Sequence, residues 1–527
     1  MLSRDLLEKA KRFLPAAAPT FIKNLQVFPN WINGGKQFWY EAQNKDGQCC
    51  YLVDIGEGSK TLVDDPRKNV KQSEPVPPSQ CFTAMQAWGV QPSTPADRLR
   101  SPDGQWDLTV KDFDIYLTHT QTGEVRQVTS DGEKFYDWAG SPDCNLAQIT
   151  NMRLGTIASP IAIWSEDSTK FLTHKVDQRQ VKELHLLQNA PEDGTYRPKL
   201  YSLRMPFAGD ETVTQTELYV FDIVTQKTIK LDTPPIQSTM IGSSIESGYA
   251  WFSKTADRVY FIREERGNKK LELCVADTAS GRCKTLITET SLHYVELSYL
   301  IFWMNYTCTL DVTNEAVWLS EREGWMNLYL VDTKNGGIKN SIAAGDFNVR
   351  SICYLDEKER WVYFLASGKE KNIDPYLRIL YRAKLDGSNI ERLTPAAADH
   401  TISFAPNGES FVANYSTLET IPEAKLFSSN GRELLHLEKA DFTALCDLGW
   451  KKPETFCLKG ADGKTDIYGA IYRPTDFDPN RSYAIVDDIY PGPQLVRTAH
   501  SYHVDPQGFC MRLFLNFHNH ILTLYIV

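Results

Sequence analysis

The sequence predicts an all-β propeller of roughly six to eight blades over residues 35–440, followed by the start of a second domain over residues 441–527. Three observations carry that expectation. Short β-rich runs alternate with Gly, Asp, Asn and Pro turns through most of the 527 residues. One unit recurs, a strand ending in Asp, a turn and a second short strand, in CYLVDIGEGSKTLV, ELYVFDIVTQKTIKL, ELCVADTASGRCKTL, NLYLVDTKNGGIKNSI and ILYRAKLDGSNIERLT. Its aspartates Asp222, Asp277, Asp332 and Asp386 are separated by 55, 55 and 54 residues. From about Asp441 the texture changes to a hairpin that leads into an apolar run. A period of about fifty residues with four strands per unit is a propeller signature, because each blade buries one face only by stacking on the next.

The elements follow in order. MLSRDLLEKAKRFLPAAAP interleaves charges with Leu2, Leu6, Leu7 and Phe13 at helical spacing, so residues 1–34 read as a short amphipathic helix stopped by Pro15 and a lead-in. Without an uninterrupted apolar stretch there, no signal peptide is expected. Within the repeat a second type of strand is entered by a polar turn, in SPDGQWDLTV, WSEDSTKFLTH, FSKTADRVYFI and FAPNGESFVANYS. The variant unit DIYLTHTQTGEVRQVT carries His119 where the others carry Asp. The blade aspartates read as turn-closing groups rather than metal ligands. Trp138, Trp164, Trp251, Trp318 and Trp361 read as packing between blades. In the final segment, Phe456, Tyr468, Ile471 and Tyr472 lie on a hairpin around Ala461-Asp462-Gly463. A loop with Pro474 and Pro479 and an extended run from Tyr483 to Ile489 follow.

Composition narrows the function. A net charge of −10 without any Lys/Arg block argues against nucleic acid as a partner. No segment approaches the roughly 18 apolar residues needed to span a bilayer, so no membrane partner is expected. The 11 cysteines are scattered from Cys49 to Cys510 without a C-x-x-C pair. They read as free thiols of a cytoplasmic protein, with no metal and no other cofactor. The sequons at Asn305 and Asn414 then have no role.

At this point the chain resembles the dipeptidyl peptidase IV branch of the prolyl oligopeptidase family. The resemblance rests on SPDGQWDLTV with DIYLTHTQTGEVRQVTSDGE, on SLRMPFAGDE and on WLSEREGWMNLYLVD. It continues through LYRAKLDGSNIERLTP with HTISFAPNGESFVANYST, and through DIYGAIYRPTDFDPNRSYAIVDDIYPGPQ. It implies a propeller gating a serine peptidase domain of α/β-hydrolase type, of which residues 441–527 would be a truncated α/β-hydrolase domain, with a peptide as substrate or ligand and a homo-oligomer as in the family. Tyr490, matching the Tyr of the family's oxyanion motif, is by this resemblance the candidate oxyanion-hole donor, where a phenolic O–H stabilises charge developing in the transition state.

Departures from the family are equally informative. No G-x-S-x-G elbow occurs among these residues. The nearest approach, GSSIE at Gly242 to Glu246, has Glu in place of the second Gly and lies inside the repeat. Ser501, His503 and Asp505 alternate along one short stretch and cannot converge as a triad must. The tail VDPQGFCMRLFLNFHNHILTLYIV occupies the place of a helix, around Gly508 to Phe514, and the next sheet strand. His518 and His520 fall on opposite faces of a strand and so do not share a metal. We therefore expect a truncated or frame-shifted member, inactive on its own, whose apolar C-terminal residues have little to pack against; the alternative is a non-catalytic propeller that binds partners. Family aminodipeptidases hold the substrate's amino terminus with an acidic pair in a motif resembling W-x-Y-E-E. SPDCNLAQITNMRLGTIASPIAIWSED has no such pair. Glu264 and Glu265 in FIREERG are the weak substitute candidates for substrate binding, and read better as a charged strand end with Arg263 and Arg266.

Overall fold

The computed structural model describes residues 21–64, 97–156, 159–239, 242–295, 307–447, 450–473, 477–488, 498–502 and 521–526. The expected N-terminal helix and the helix at 508–514 lie outside the described residues.

Among the described residues, seven antiparallel sheets of four or more strands succeed one another along the chain. Sheet 1 runs from Asn30 to Val63, sheet 2 from Leu99 to Gln127, and sheet 3 from Tyr136 to Gln237. Sheets 4 to 7 follow as Ala250–Thr290, Thr307–Ala343, Asn348–Arg392 and Asp399–Lys439. Each strand pairs with its sequence neighbour, except in sheet 3, where a separate hairpin, Glu183–Gln188 with Lys199–Arg204, is inserted between the second and third of its four central strands.

The turns explain why these segments hairpin. Asp222, Asp277, Asp332 and Asp386 each accept a backbone N–H two or three residues on, at 2.7, 2.7, 2.7 and 2.9 Å. These are Asx-type closures. His119 does the same work with Nδ1, accepting the Thr122 N–H at 3.2 Å.

Packing between sheets is sequential. Leu117 of sheet 2 meets Trp138 and Phe221 of sheet 3, and Leu172 and Val220 of sheet 3 meet Val259 and Phe261 of sheet 4. Tyr260 and Leu273, then Trp318 and Leu330, then Phe364 and Tyr381 join sheets 4, 5 and 6 in one core. Leu365 and Leu380 of sheet 6 pack on Phe411 and Ala413 of sheet 7. The succession then returns to its start: Val412, Leu426 and Leu437 of sheet 7 share a core with Phe38, Tyr40 and Val53 of sheet 1. A nearly all-β chain whose last sheet packs on its first is consistent with a β-propeller. The lead-in helps to close it, since the Asn414 amide exchanges two hydrogen bonds with the backbone of Val27, at 2.7 and 3.0 Å. That sequon asparagine is buried.

The tryptophans act between and within sheets. Trp138 meets Tyr219 and Phe221 edge-on, and Trp251 of sheet 4 donates to Thr309 Oγ1 of sheet 5 at 3.3 Å. Trp361 carries the cations of Arg382 and Lys384 over its ring. The described cysteines are free thiols; Cys144 and Cys274 are buried, whereas Cys446 and Cys457 are exposed.

After sheet 7 a short helix, Thr443–Asp447, leads to a mixed sheet ordered Glu454–Lys459, Asp466–Tyr472, Ile521–Ile526, Ala484–Asp488. Asp462 closes the first hairpin by accepting the N–H groups of Lys464 and Thr465. Ile521–Ile526 runs antiparallel to Asp466–Tyr472 and parallel to Ala484–Asp488. The expectation that the apolar C-terminal side chains have little to pack against falls on side chains outside the described ones; the backbone of Ile521–Ile526 is paired. The strand is central and hydrogen-bonded on both sides; the sheet's edges are Glu454–Lys459 and Ala484–Asp488.

Candidate functional site

A cavity of about 370 Å³ opens where sheets 2 and 3 and the inserted hairpin meet. Three chain segments build it. The turn of sheet 2 contributes Phe113; Asp112 and Phe113 both have positive φ, 50° and 72°. Two such residues form the tight turn that suits a hairpin's twist, but neither is the glycine that makes it free of strain. The turn is kept in place because the Phe113 carbonyl accepts the Trp138 N–H at 3.0 Å. It also sits against Gly132, where a Cβ would come within 2.1 Å of the Phe113 oxygen.

The second segment, EKFYDWAGSPD, supplies Lys134, Phe135, Asp137, Ser141 and Asp143. Phe135 and Ala139 have φ of 69° and 52°, so this loop too holds non-glycine residues in the left-handed region. The helix that follows, Ala147–Leu154, begins with the Asn145 side chain accepting the Ala147 N–H and ends at Gly155 with φ 63°. A glycine suits that left-handed cap. Met152 on this helix faces the cavity.

The third segment comes from sheet 3 and the inserted hairpin: Gln178, Glu183, Ser202, Leu203 and Arg204. The Arg204 guanidinium lies 4.4 Å from the Phe135 ring centre, donates to the Val181 carbonyl at 2.6 Å and pairs with Glu183 at 3.3 Å. Its backbone N–H donates to Asp143 Oδ2 at 2.8 Å, while the Asp143 N–H donates to Gln178.

The electrostatics single out the two aspartates. Burial, reinforced by the neighbouring Asp143 charge, pushes Asp137 up to about 7. Asp143 is raised as well, by burial, against the pull of the Arg204 backbone and charge. Two half-desolvated carboxyls beside Phe113, Phe135 and Met152 make a site for a cationic group carrying an apolar body, because an ammonium leaving water needs carboxylate partners.

Of the residues singled out from the sequence as site candidates, none that is described lines the cavity. Tyr490 falls outside the described residues, as do His503, Asp505, His518 and His520. Glu264 ends the strand Arg258–Glu264, accepts a hydrogen bond from Asn268 and is pushed up to about 7 by burial. Glu265 is exposed in the following turn. Neither lines the cavity. The imagined charge cluster is divided: Arg263 pairs across the sheet with Glu272, and Arg266 donates to the Phe207 and Asp210 carbonyls. Ser501 donates to Asp399, a junction contact. Asp137 and Asp143 were within reach of sequence reasoning only through the density of the DWAGSPD turn; nothing in it announces that the carboxyls converge.

Comparison with known proteins agrees with this architecture. The family model for the dipeptidyl peptidase IV (DPP IV) N-terminal region matches residues 71–422. The chain is 26% identical to mouse dipeptidyl peptidase 8 over 166 residues, 29% of this chain and 18% of that protein. It is 22% identical over 412 residues to the "Probable dipeptidyl peptidase 4" of Aspergillus flavus, covering 75% of this chain and 50% of that protein. It thus spans half or less of these two relatives. The crystal structure of Porphyromonas gingivalis dipeptidyl peptidase 4 superposes with a TM-score of 0.64 at 18% identity, over 95% of this chain and 64% of that one. With two thirds of its length matched by the family model, the chain belongs to the dipeptidyl peptidase IV family, whose N-terminal region it contains.

Proposed function

We propose that these residues are the peptide-admitting part of a cytoplasmic serine peptidase of this family. A seven-bladed propeller over residues 35–440 receives the ligand, and the start of a hydrolase-type sheet follows over residues 441–527. The supporting observation is the cavity where Asp137 and Asp143 face Phe113 and Met152. It offers carboxylates for a peptide's ammonium although the helix Ala147–Leu154 carries no acidic residue. The mixed sheet, in which a hairpin precedes a parallel pair, supports the second half of the reading. A parallel pair requires a crossover connection of a dozen or more residues.

Hydrolysis is a separate matter. A seryl nucleophile needs a base and an oxyanion donor around it, and no elbow pentapeptide is present in these residues. The purified chain is expected to leave chromogenic X-Pro and X-Ala substrates intact; turnover abolished by a serine-directed inhibitor would refute this.

Binding is expected all the same. Calorimetric titration with Gly-Pro-Gly-amide should show an affinity that Asp137→Asn lowers by about tenfold or more, the loss of one charge-assisted hydrogen bond. N-acetylation of the peptide should have the same effect. Since Asp137 ionises at about 7, affinity should rise as pH increases through that value. It should fall again above about 8, where the peptide's α-amine loses its proton. Equal binding of the acetylated peptide would exclude the ammonium reading.

A further inference from the structure

The carboxylate of Asp137 has a seat, and the seat is Gly140. A Cβ built on Gly140 would lie 1.6 Å from Asp137 Oδ2 and 2.8 Å from its Cγ. No L side chain fits there while the carboxylate stays. The glycine is not required by its own backbone, which lies outside the left-handed region. What its missing side chain leaves is room for the neighbouring acid.

The segment bearing Gly140 is fastened from behind. The Gly140 carbonyl accepts a hydrogen bond from Nε2 of His174 at 2.8 Å. His174 is fully buried on the strand Lys170–Asp177, and its own carbonyl accepts the Ala139 N–H at 2.9 Å. The next residue, Ser141, donates its hydroxyl to Glu246 and accepts from Gln148 at its carbonyl. Glu246 is buried; it also receives Asn145 Nδ2 at 3.1 Å and the Ser243 N–H at 2.7 Å. The GSSIE motif, which as a nucleophile elbow is incomplete, thus has its Glu employed as an anchor for the pocket loop.

We infer that Gly140 is a positioning residue for the cavity: held by His174 and, through Ser141, by Glu246, it is the surface against which the Asp137 carboxylate is kept facing the ligand. The inference rests on the peptide-ammonium reading for its consequence in binding, but not for the geometry. In a Gly140→Ala chain the fastened backbone stays and the short Asp137 side chain turns away, because a side chain rotates at less cost than a loop held on both flanks moves. The fold is kept and the carboxylate is displaced.

The test uses the full chain in four forms: wild type, Gly140→Ala, Asp137→Asn and the double variant. Titration with Gly-Pro-Gly-amide should give a loss of about tenfold or more in each single variant, and the double variant should be no weaker than either single one. A merely structural role would instead add the two losses. Wild-type affinity in Gly140→Ala alongside weak Asp137→Asn would overturn the inference and leave the ammonium reading standing. Should the wild type bind no peptide, that reading fails, and the crystal structure of Gly140→Ala decides the inference alone. A carboxylate swung out of the cavity on an unmoved 138–143 backbone supports it. An unmoved carboxylate, a displaced loop or a variant that does not fold overturns it.

Discussion

Replacing Trp318 by Ala is expected to cost about 3–5 kcal/mol of unfolding free energy, the range for a large aromatic removed from a core that cannot collapse onto the cavity. Trp318 is fully buried in the strand Glu315–Ser320, every residue of which is buried, and it belongs to the cluster that joins sheets 4, 5 and 6. Its Nε1–H donates to Glu289 Oε1 at 3.0 Å, a carboxylate that Arg322 also engages. Trp318→Phe should therefore cost far less than Trp318→Ala. It retains most of the buried ring and loses one hydrogen bond, worth about 1 kcal/mol net. Urea unfolding read by far-ultraviolet circular dichroism would measure both. A Trp318→Ala change of under about 1 kcal/mol would mean that the sheets do not share this core.

The second large effect is expected at the junction between sheets 6 and 7 and the segment that follows the mixed sheet's third strand in sequence. Asp399, at the start of sheet 7, accepts Arg378 Nε and Nη2 at 2.8 and 2.6 Å and the Arg378 backbone N–H at 2.9 Å. It also accepts the Ser501 hydroxyl at 2.9 Å. Beside it, Asp374 meets His500 Nδ1 at 2.5 Å, and the Tyr502 N–H donates to Ser416. Tyr502 packs edge-on against Phe442 and Trp450. Asp399→Ala is expected to lose on the order of 3 kcal/mol, the lower end for breaking a buried pair. The lower end applies because Arg378 keeps 37% of its side chain exposed. Proteolysis within residues 498–502 should accelerate in the same variant.

The pH dependence of this contribution has a definite sign. Burial alone would raise the Asp399 carboxyl, but the Arg378 charge and hydrogen bonds, with the Ser501 hydroxyl, hold it well below the usual carboxylate range. A carboxyl with a depressed folded-state value stabilises the fold fully above its unfolded value, about 4, and loses that contribution as pH falls through the folded value. The difference between wild type and Asp399→Ala should be flat from pH 5 to 7 as far as this group is concerned, and close only in stronger acid.

By itself the sequence determined the repeat, its turn chemistry and the family. These are local properties: an Asx turn needs one aspartate and the next few N–H groups, and Asp222, Asp277, Asp332 and Asp386 carry that information within each unit. His119 could be paired with them because it occupies the same place in its unit. The hairpin at Ala461-Asp462-Gly463 and the extended run ending near Ile489 are legible for the same reason. The return of sheet 7 onto sheet 1 is not local. It depends on Val412 and Leu426 meeting Phe38 and Val53, and no window of sequence contains both.

The tertiary structure alone decided where the candidate site is. Glu264 and Glu265 stood out because adjacent acids are conspicuous in a string of letters, yet Glu264 ends its strand, Glu265 lies exposed beyond it, and neither reaches the cavity. Asp137 and Asp143 are unremarkable in the string. They share a cavity because Phe113 from one sheet and Arg204 from an inserted hairpin line it with them. Their charge states likewise follow from burial, which is a property of the surrounding fold and is set by residues far away along the chain.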